Sequence, residues 1–149
     1  MDIKNLKPSK NSRYKQGYVN SQSCKKLFPS ISHESIIYRS SYELKFIQWL
    51  EGSRDVKYWG SECLQIPYYS GLDGKMHTYN PDYVVEMTNG DIMVVEIKPY
   101  NQTVKPINEN CWAYREYIKN RYKWKAAKEM CDSKGYQFKI LTEKTINKL

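Results

Sequence analysis

The sequence is poor in the residue types from which many enzymes build metal and redox sites. Only two histidines occur in 149 residues, His33 and His77, and neither is a good candidate for a zinc ligand or a general base. The four cysteines are widely scattered and fit neither zinc-site spacing nor a disulfide scaffold. They are Cys24, Cys63, Cys111 and Cys131. We therefore expect reduced thiols in a cytoplasmic compartment.

Long apolar runs are also missing from the sequence. No stretch approaches the length that crosses a bilayer, so we expect no membrane contact. The first residues, Met-Asp-Ile-Lys-Asn, lack the apolar segment of a secretory signal. Internal repeats and low-complexity segments are absent. A chain of 149 residues is long enough for one domain with one hydrophobic core.

The charged residues divide the chain into three parts. The formal net charge is +8. Residues 1 to 30 carry seven Lys or Arg against one Asp, residues 31 to 100 carry six against ten acids, and residues 101 to 149 carry eleven against five. The acidic middle suits metal-binding chemistry, and the basic ends suit a polyanion such as DNA.

The most informative motif combines an acidic residue, a turn and an acidic strand end. Pro81-Asp82 opens the strand-like segment Tyr83-Val84-Val85, the hairpin signal Asn89-Gly90 follows, and the apolar run from Ile92 leads into Glu96-Ile97-Lys98. Two carboxylates can hold a divalent cation against a phosphate, and an ammonium beside them can orient the attacking water. The motif predicts the active site of a metal-dependent DNA nuclease.

An acid-x-lysine triplet alone carries little information. The chain contains six of them, where 16 acids and 19 lysines predict roughly two by chance. Five lie in polar stretches or near turn residues, where a solvated ion pair explains them. The triplet at Glu96 interrupts the most apolar strand-like run, where an ionised side chain is costly unless it is paired or binds a metal. The alternative is a hairpin with an incidental Glu-Lys pair at its rim.

Five separated motifs, in this order, resemble the PD-(D/E)xK nuclease superfamily, and within it the transposon-encoded endonuclease subunits. They are Tyr38-Arg39-Ser40-Ser41-Tyr42-Glu43, Tyr79-Asn80-Pro81-Asp82-Tyr83, Glu96-Ile97-Lys98, Lys125-Ala126-Ala127-Lys128 and Phe138-Lys139-Ile140-Leu141-Thr142-Glu143. The nuclease likeness covers about residues 36 to 143. The whole chain is similar to the head-completion nucleases of T-even-type tailed bacteriophages.

The resemblance implies a set of site residues. Asp82, Glu96 and the backbone carbonyl of Ile97 would hold Mg²⁺, for which Mn²⁺ could substitute, and Lys98 would act beside them. The family also places a glutamate of the first helix at the site, which corresponds to Glu43. Ser40-x-x-Glu43 is equally a capping box, in which the glutamate caps its own helix. Both interpretations stay open.

The pattern of elements favours an α/β fold with a mixed central sheet flanked by helices, as in restriction endonucleases, in the order αββββαβ. Residues 1–35 are polar and basic and are predicted to form an arm or irregular extension; residues 36–149 form the nuclease domain. Helices are expected from Ser40 to about Glu51 and from about Cys111 to Ser133. Strands are expected around 56–59, 63–69, 79–87, 92–98 and 136–142.

The register of the central hairpin decides whether the site can exist. Side chains alternate between sheet faces, so Asp82 joins Glu96 and Lys98 on one face only if it pairs opposite a residue of matching parity. A two-residue Asn89-Gly90 turn would place Asp82 against Ile97, on the wrong face. A three-residue loop, Thr88-Asn89-Gly90, places Asp82 opposite Glu96 and requires Gly90 at positive φ. We predict the three-residue loop or, failing that, a one-residue bulge elsewhere between Asp82 and Glu96.

The second helix carries two sets of cations. Arg115, Lys119 and Lys123 recur every four residues and share one face, and Lys125 and Lys128 lie with Arg121 on a neighbouring one. Such runs are solvated faces by default, yet in a DNA enzyme they suit phosphate contact. An apolar stripe is predicted opposite, at Ile118, Tyr122, Ala126 and Met130. His77 is predicted to lie on a strand surface or to contact DNA.

The phage likeness implies trimming or cutting of packaged DNA late in capsid assembly, before the tail joins. The expected partners are DNA and the capsid portal or neck proteins, and the expected location is the host cytoplasm or the virion. Two alternatives remain. One is a non-catalytic DNA-binding head-assembly protein with a vestigial nuclease site; the other is a working nuclease of transposition, restriction or repair.

Overall fold

The computed structural model describes residues 17–31 and 35–149. The described elements, in chain order, are β1 (Gly17–Asn20), β2 (Ser35–Tyr38), α1 (Ser41–Gly52), β3 (Val56–Ser61), β4 (Ile66–Ser70), β5 (Lys75–Tyr79), β6 (Tyr83–Met87), β7 (Ile92–Ile97), α2 (Trp112–Lys134), β8 (Gln137–Leu141) and α3 (Glu143–Ile146). Short 3₁₀ turns occupy Ser21–Ser23 and Tyr100–Gln102. Within these ranges no helix is long and apolar enough to cross a membrane.

The central sheet has the strand order β3-β6-β7-β8. β3 and β7 pair antiparallel with β6, and β8 joins β7 in parallel. The parallel pair is possible because α2 makes the long crossover that parallel strands need. Two hairpins, β1-β2 and β4-β5, complete the described strands. The predicted mixed α/β class is therefore confirmed.

Each of the two long helices packs in a separate hydrophobic cluster. α1 contributes Phe46, Ile47 and Leu50, which pack with Tyr83 and Val85 of the sheet. The second cluster joins α2 to the β4-β5 hairpin; its buried members are Ile66, Tyr68, Tyr79, Trp124 and Ala127, with Phe138 and Ile140 packed against them. This second cluster fixes β5 and α2 near the end of β7.

Local chemistry sets the start of α1 and the end of α2. Ser40 caps α1, accepting a hydrogen bond through its hydroxyl from the Glu43 N–H at 3.1 Å. Gly135 ends α2 in the left-handed conformation at φ 75°. The predicted boundaries of these helices are correct to within one residue. The predicted apolar stripe of α2 is confirmed in part. Tyr122, Ala126 and Met130 pack against the second cluster, but the most buried side chains of the helix are those of Asn120, Trp124, Ala127 and Cys131.

The predicted strand order needs two corrections. The expected strand over 79–87 begins only at Tyr83, and Tyr79 instead ends β5, a strand that was not predicted. The chain breaks at Asn80-Pro81-Asp82, where proline cannot donate to a ladder. The predicted order also lacked the β1-β2 hairpin and the short α3 at the end of the described chain. α3 buries Ile146 against the α1 cluster.

Part of the predicted N-terminal extension is packed on the domain. Gly17–Asn20 pairs with Ser35–Tyr38, and the Phe28 N–H donates to the Trp59 carbonyl at 3.0 Å. Val19, Cys24 and Leu27 pack against the α1 cluster. The prediction of an irregular segment did not anticipate the β1-β2 pairing or the hydrogen bond from Phe28 to β3. The basic run before Gly17 lies outside the described residues, as does His33, and the boundary at residue 35 stays a prediction.

Candidate active site

The β6-β7 hairpin has the register that the site requires. The Met87 N–H donates to the Asp91 carbonyl at 2.8 Å, the Gly90 N–H donates to the Met87 carbonyl at 3.0 Å, and Gly90 has φ 94°. Tyr83 is paired with Val95, so one further step along both strands sets Asp82 opposite Glu96. The predicted three-residue loop is confirmed, and both carboxylates belong to one face of the sheet.

The Asp82 carboxylate is held by the neighbouring strand. Its Oδ2 accepts a 2.8 Å hydrogen bond from the Ile97 N–H. The backbone carbonyl of Asp82 accepts a 3.0 Å hydrogen bond from the Glu62 N–H. Burial raises the pKa of Asp82 well above its ordinary value, and the charges of Glu96 and Glu43 raise it further. The ionised form of Asp82 therefore needs a compensating cation.

Glu96 lies at the end of β7 with only 7% of its surface exposed. Its Oε2 accepts a 2.7 Å hydrogen bond from the Tyr79 hydroxyl. Burial and the Glu96 charge raise the pKa of Tyr79, so the phenol stays protonated and keeps donating. The Glu96 Oε1 lies 3.6 Å from the Lys98 Nζ. The main chain holds Lys98 in turn, because its N–H donates to the Leu141 carbonyl of β8 at 2.9 Å.

Glu43 lies at the start of α1 and faces the same carboxylates. Its Oε2 accepts a hydrogen bond from the Arg39 N–H. Burial raises the pKa of Glu43, and the nearby charges of Glu62 and Glu96 act in the same direction. Half of the predicted capping box is present, since the Ser40 hydroxyl caps Glu43. In a complete capping box the Glu43 carboxylate would accept the N–H of the N-cap residue, Ser40. Here it accepts the N–H of Arg39, one residue earlier.

Arg39 and Glu62 form an ion pair beside the carboxylates, and the sequence reasoning missed it. The Arg39 guanidinium donates to Glu62 Oε1 at 2.6 Å. Glu62 is the non-glycine residue with positive φ (49°) in the described chain, which is a strained conformation for glutamate. The Arg39 charge also interacts with Glu43 and Asp82. Arg39 belongs to the first of the resembling motifs, which was the available signal for it.

The donor set fits a hard divalent cation. Asp82 and Glu96 place two negative charges at one buried position, and oxygen ligands of this kind are preferred by Mg²⁺. Among the residues that the structure describes, no three His, Cys, Asp or Glu side chains form a metal-binding group. The Glu43 carboxylate accepts a hydrogen bond from the Arg39 N–H, and its assignment as a further metal ligand stays a prediction. The predicted set of two carboxylates and the Ile97 carbonyl does not need a third side chain.

The cations of α2 line two separate depressions. Arg115, Lys119 and Lys123 line one together with His77, as their common face predicts. Lys125 and Lys128 line the other, and Lys128 is paired there with Asp132 at 2.9 Å. His77 lies on β5, where its ring stacks on Tyr68 and its Nε2 lies 2.7 Å from Asp73 Oδ2. The strand-surface prediction for His77 is confirmed.

A mixed sheet with Asp82 and Glu96 on one face, and a lysine two residues after the glutamate, defines the PD-(D/E)xK class of nucleases. The family model described as "TnsA-like endonuclease N terminal" matches residues 53–143. The chain is also 34% identical over 120 residues to the protein named "Head completion nuclease" of Enterobacteria phage T4. That match covers 74% of this chain and 80% of the phage protein. The chain belongs to the TnsA-like endonuclease family and is a nuclease.

Proposed function

We propose that this nuclease hydrolyses DNA phosphodiester bonds with Mg²⁺, or Mn²⁺ in its place, and that it acts in phage head completion before the head joins the tail. The convergence of Asp82, Glu96 and Lys98 at the end of the β6-β7 hairpin carries the chemical part of the proposal. The name of the phage T4 relative supports the biological part. DNA is the proposed substrate, and the portal or neck proteins of the capsid are the proposed partners. The proposed location is the host cytoplasm or the virion.

The cation would be held by Asp82, Glu96 and the Ile97 carbonyl. When bound, it would supply positive charge to the scissile phosphate and acidify the attacking water. Asp82 and Glu96 are already fixed for this task, through the Ile97 N–H and the Tyr79 hydroxyl. Such preorganised ligands need no rearrangement when the substrate arrives.

Lys98 would supply the remaining positive charge. Its ammonium, 3.6 Å from Glu96, can orient the attacking water and stabilise the negative charge that grows on the phosphate oxygens. Glu43 would complete the site from the α1 side, close enough for its charge to act on Asp82. Arg39 would offset part of the acidic charge of this side and would be available to a phosphate oxygen.

The α2 cations would hold the DNA on both sides of the helix, as the sequence suggests for Arg115, Lys119, Lys123, Lys125 and Lys128. Phosphate contacts of this kind position a duplex without reading its sequence. A nuclease of transposition is the second candidate, because the matching family model is named for a transposition-type endonuclease domain. Both candidates share the same chemistry and differ in the partner that brings the enzyme to DNA.

Cleavage of linear and circular plasmid DNA, with and without Mg²⁺, tests the proposed chemistry. Nicked or linear product should appear only with Mg²⁺ or Mn²⁺, and Asp82→Ala should remove it. Digestion of the circular substrate would identify endonuclease action. A folded protein that binds DNA and cuts neither substrate with either metal would support the alternative of a vestigial site.

A further inference from the structure

A groove with a volume of about 340 Å³ runs along the surface where α2 and the β4-β5 hairpin meet. Its walls are mostly polar, and the side chains that could contact an anion are Ser70, His77, Thr78, Arg115, Lys119 and Lys123. Two acids, Asp73 and Glu116, also line it. Asp73 is engaged by the hairpin itself, through His77 and the Lys75 N–H at 3.0 Å.

One buried side chain, that of Tyr79, connects the groove to the carboxylate of Glu96. The Lys123 Nζ lies 5.6 Å from the centre of the Tyr79 ring, and the hydroxyl of the same ring donates to Glu96. The charge of Lys123 interacts with those of Glu96 and Lys98. Lys123 therefore stands between the groove and the site where the bond is cut.

The cations of the groove are available for a ligand. Elsewhere on the basic surface, Lys105 and Lys128 are paired with Glu109 and Asp132. No carboxylate of the described residues forms an ion pair with Arg115, Lys119 or Lys123. Three cations at four-residue spacing extend over about 12 Å of helix, which equals about three to four phosphate steps along the axis of one DNA strand.

We propose that this groove binds the sugar-phosphate backbone of the strand that is cut, with Lys123 nearest the scissile phosphate and Lys119 and Arg115 at phosphates progressively farther from it. The inference rests on the proposed nuclease function and adds the path of the substrate. Lys125 and Lys128, which line a different depression, would reach only phosphates farther from the cut.

The first test compares two double variants that remove the same charge. Arg115→Ala/Lys119→Ala removes two groove cations; Lys139→Ala/Lys148→Ala removes two exposed lysines away from the groove and serves as the control. Dissociation constants for a short DNA duplex are measured in EDTA between 50 and 200 mM salt. The groove variant should bind about tenfold more weakly, and the slope of log affinity against log salt should fall by about two. The control should keep the parent slope to within about half a unit.

The second test places Lys123 relative to the reacting phosphate. Single-turnover cleavage with Mg²⁺ at saturating enzyme should be slower by about tenfold or more in Lys123→Ala, whereas Lys139→Ala, at an exposed position outside the groove, should keep the parent rate. Lys123→Arg should restore part of the rate, since it keeps the charge. Thermal melting of each variant shows whether the fold is retained.

The outcomes separate this inference from the proposed function. If the parent cuts DNA with Mg²⁺ but the groove double variant, still folded, keeps the parent affinity and salt slope, the strand does not follow this groove. Equal losses in the groove and control variants would also overturn the inference, because binding would then follow total charge. If the parent neither binds nor cuts DNA, the proposed function fails and the groove assignment falls with it.

Discussion

The hydroxyl of Tyr79 donates a 2.7 Å hydrogen bond to Oε2 of Glu96. Tyr79 is the last residue of β5, in the small β4-β5 sheet, whereas Glu96 belongs to the central sheet. Only 3% of the Tyr79 surface is exposed, so water cannot replace its hydroxyl. The bond therefore ties the orientation of the Glu96 carboxylate, a proposed metal ligand, to the docking of the β4-β5 hairpin.

Tyr79→Phe should slow cleavage by about tenfold to a hundredfold, the usual cost of removing a group that orients a metal ligand. The Mg²⁺ concentration at half-maximal rate should rise as well, because Glu96 loses the bond that fixes it. Cleavage rates are measured over a Mg²⁺ titration. Tyr69→Phe is the control, since that side chain is largely exposed. Parent-like Mg²⁺ dependence in Tyr79→Phe would show that the bond does not position Glu96.

Asp82→Ala, Glu96→Ala and Lys98→Ala should each abolish cleavage without loss of the fold. The two carboxylates are like charges in one buried place, so removing either adds little instability and can relieve repulsion. Nicking rates and thermal melts are measured on the same preparations. Cleavage retained in the Asp82 or Glu96 variant would contradict the assigned site.

Asp82→Asn should raise the melting temperature of the metal-free protein at neutral pH. The pKa of Asp82 is raised by burial and by Glu96 and Glu43. For an acid with a raised folded pKa, its contribution to stability is full below the unfolded pKa of about 3.9 and is lost as the pH rises through the folded pKa. The gain from Asn should therefore shrink as the pH falls toward about 4.

Melting curves of both proteins in EDTA over this pH range check the prediction. Asp55→Asn, at an exposed position, is the matched control. A gain that is independent of pH would mean that repulsion around Asp82 is not its source.

Gly90→Ala should destabilise the fold by about 1 kcal/mol, because φ of 94° is unfavourable for a residue with a side chain. No atom lies within 4 Å of a Cβ added at Gly90, so the cost is conformational and not steric. Gly52→Ala is the control: its Cβ position is equally open, and Gly52 has ordinary φ at the end of α1. Urea unfolding measures both. Equal effects at the two positions would argue against the constrained turn.

Ser40→Ala and Glu43→Gln should separate the capping role from the catalytic one. Loss of the Ser40 cap should cost about 1 kcal/mol of stability and leave the cleavage rate of the folded protein near that of the parent. Glu43→Gln keeps a hydrogen-bond acceptor for the Arg39 N–H but removes the charge, so it should lower cleavage with little change in melting. Full activity in Glu43→Gln would leave Glu43 with the structural role alone.

Local signals were sufficient to locate the β6-β7 hairpin. Asn89-Gly90 marked the turn, and the requirement that Asp82 and Glu96 share one face selected the three-residue loop over a two-residue turn, because side chains alternate along a strand. The same holds for the start of α1 at Ser40 and the end of α2 at Gly135. The class of nuclease could also be predicted, because five separated motifs resemble the PD-(D/E)xK superfamily in the same order.

Long-range packing decided what surrounds those residues. Tyr79 reaches Glu96, and Lys123 reaches Tyr79, only because α2 and the β4-β5 hairpin pack together in one cluster. Arg39 forms its ion pair with Glu62, which lies 23 residues later in the sequence. The β1-β2 hairpin forms because its side chains pack in the α1 cluster. The nearby Phe28 N–H also donates a hydrogen bond to the Trp59 carbonyl. The sequence by itself determined the candidate site residues and their register, which are local. The tertiary structure decided their partners, because burial and docking join residues that no sequence spacing relates.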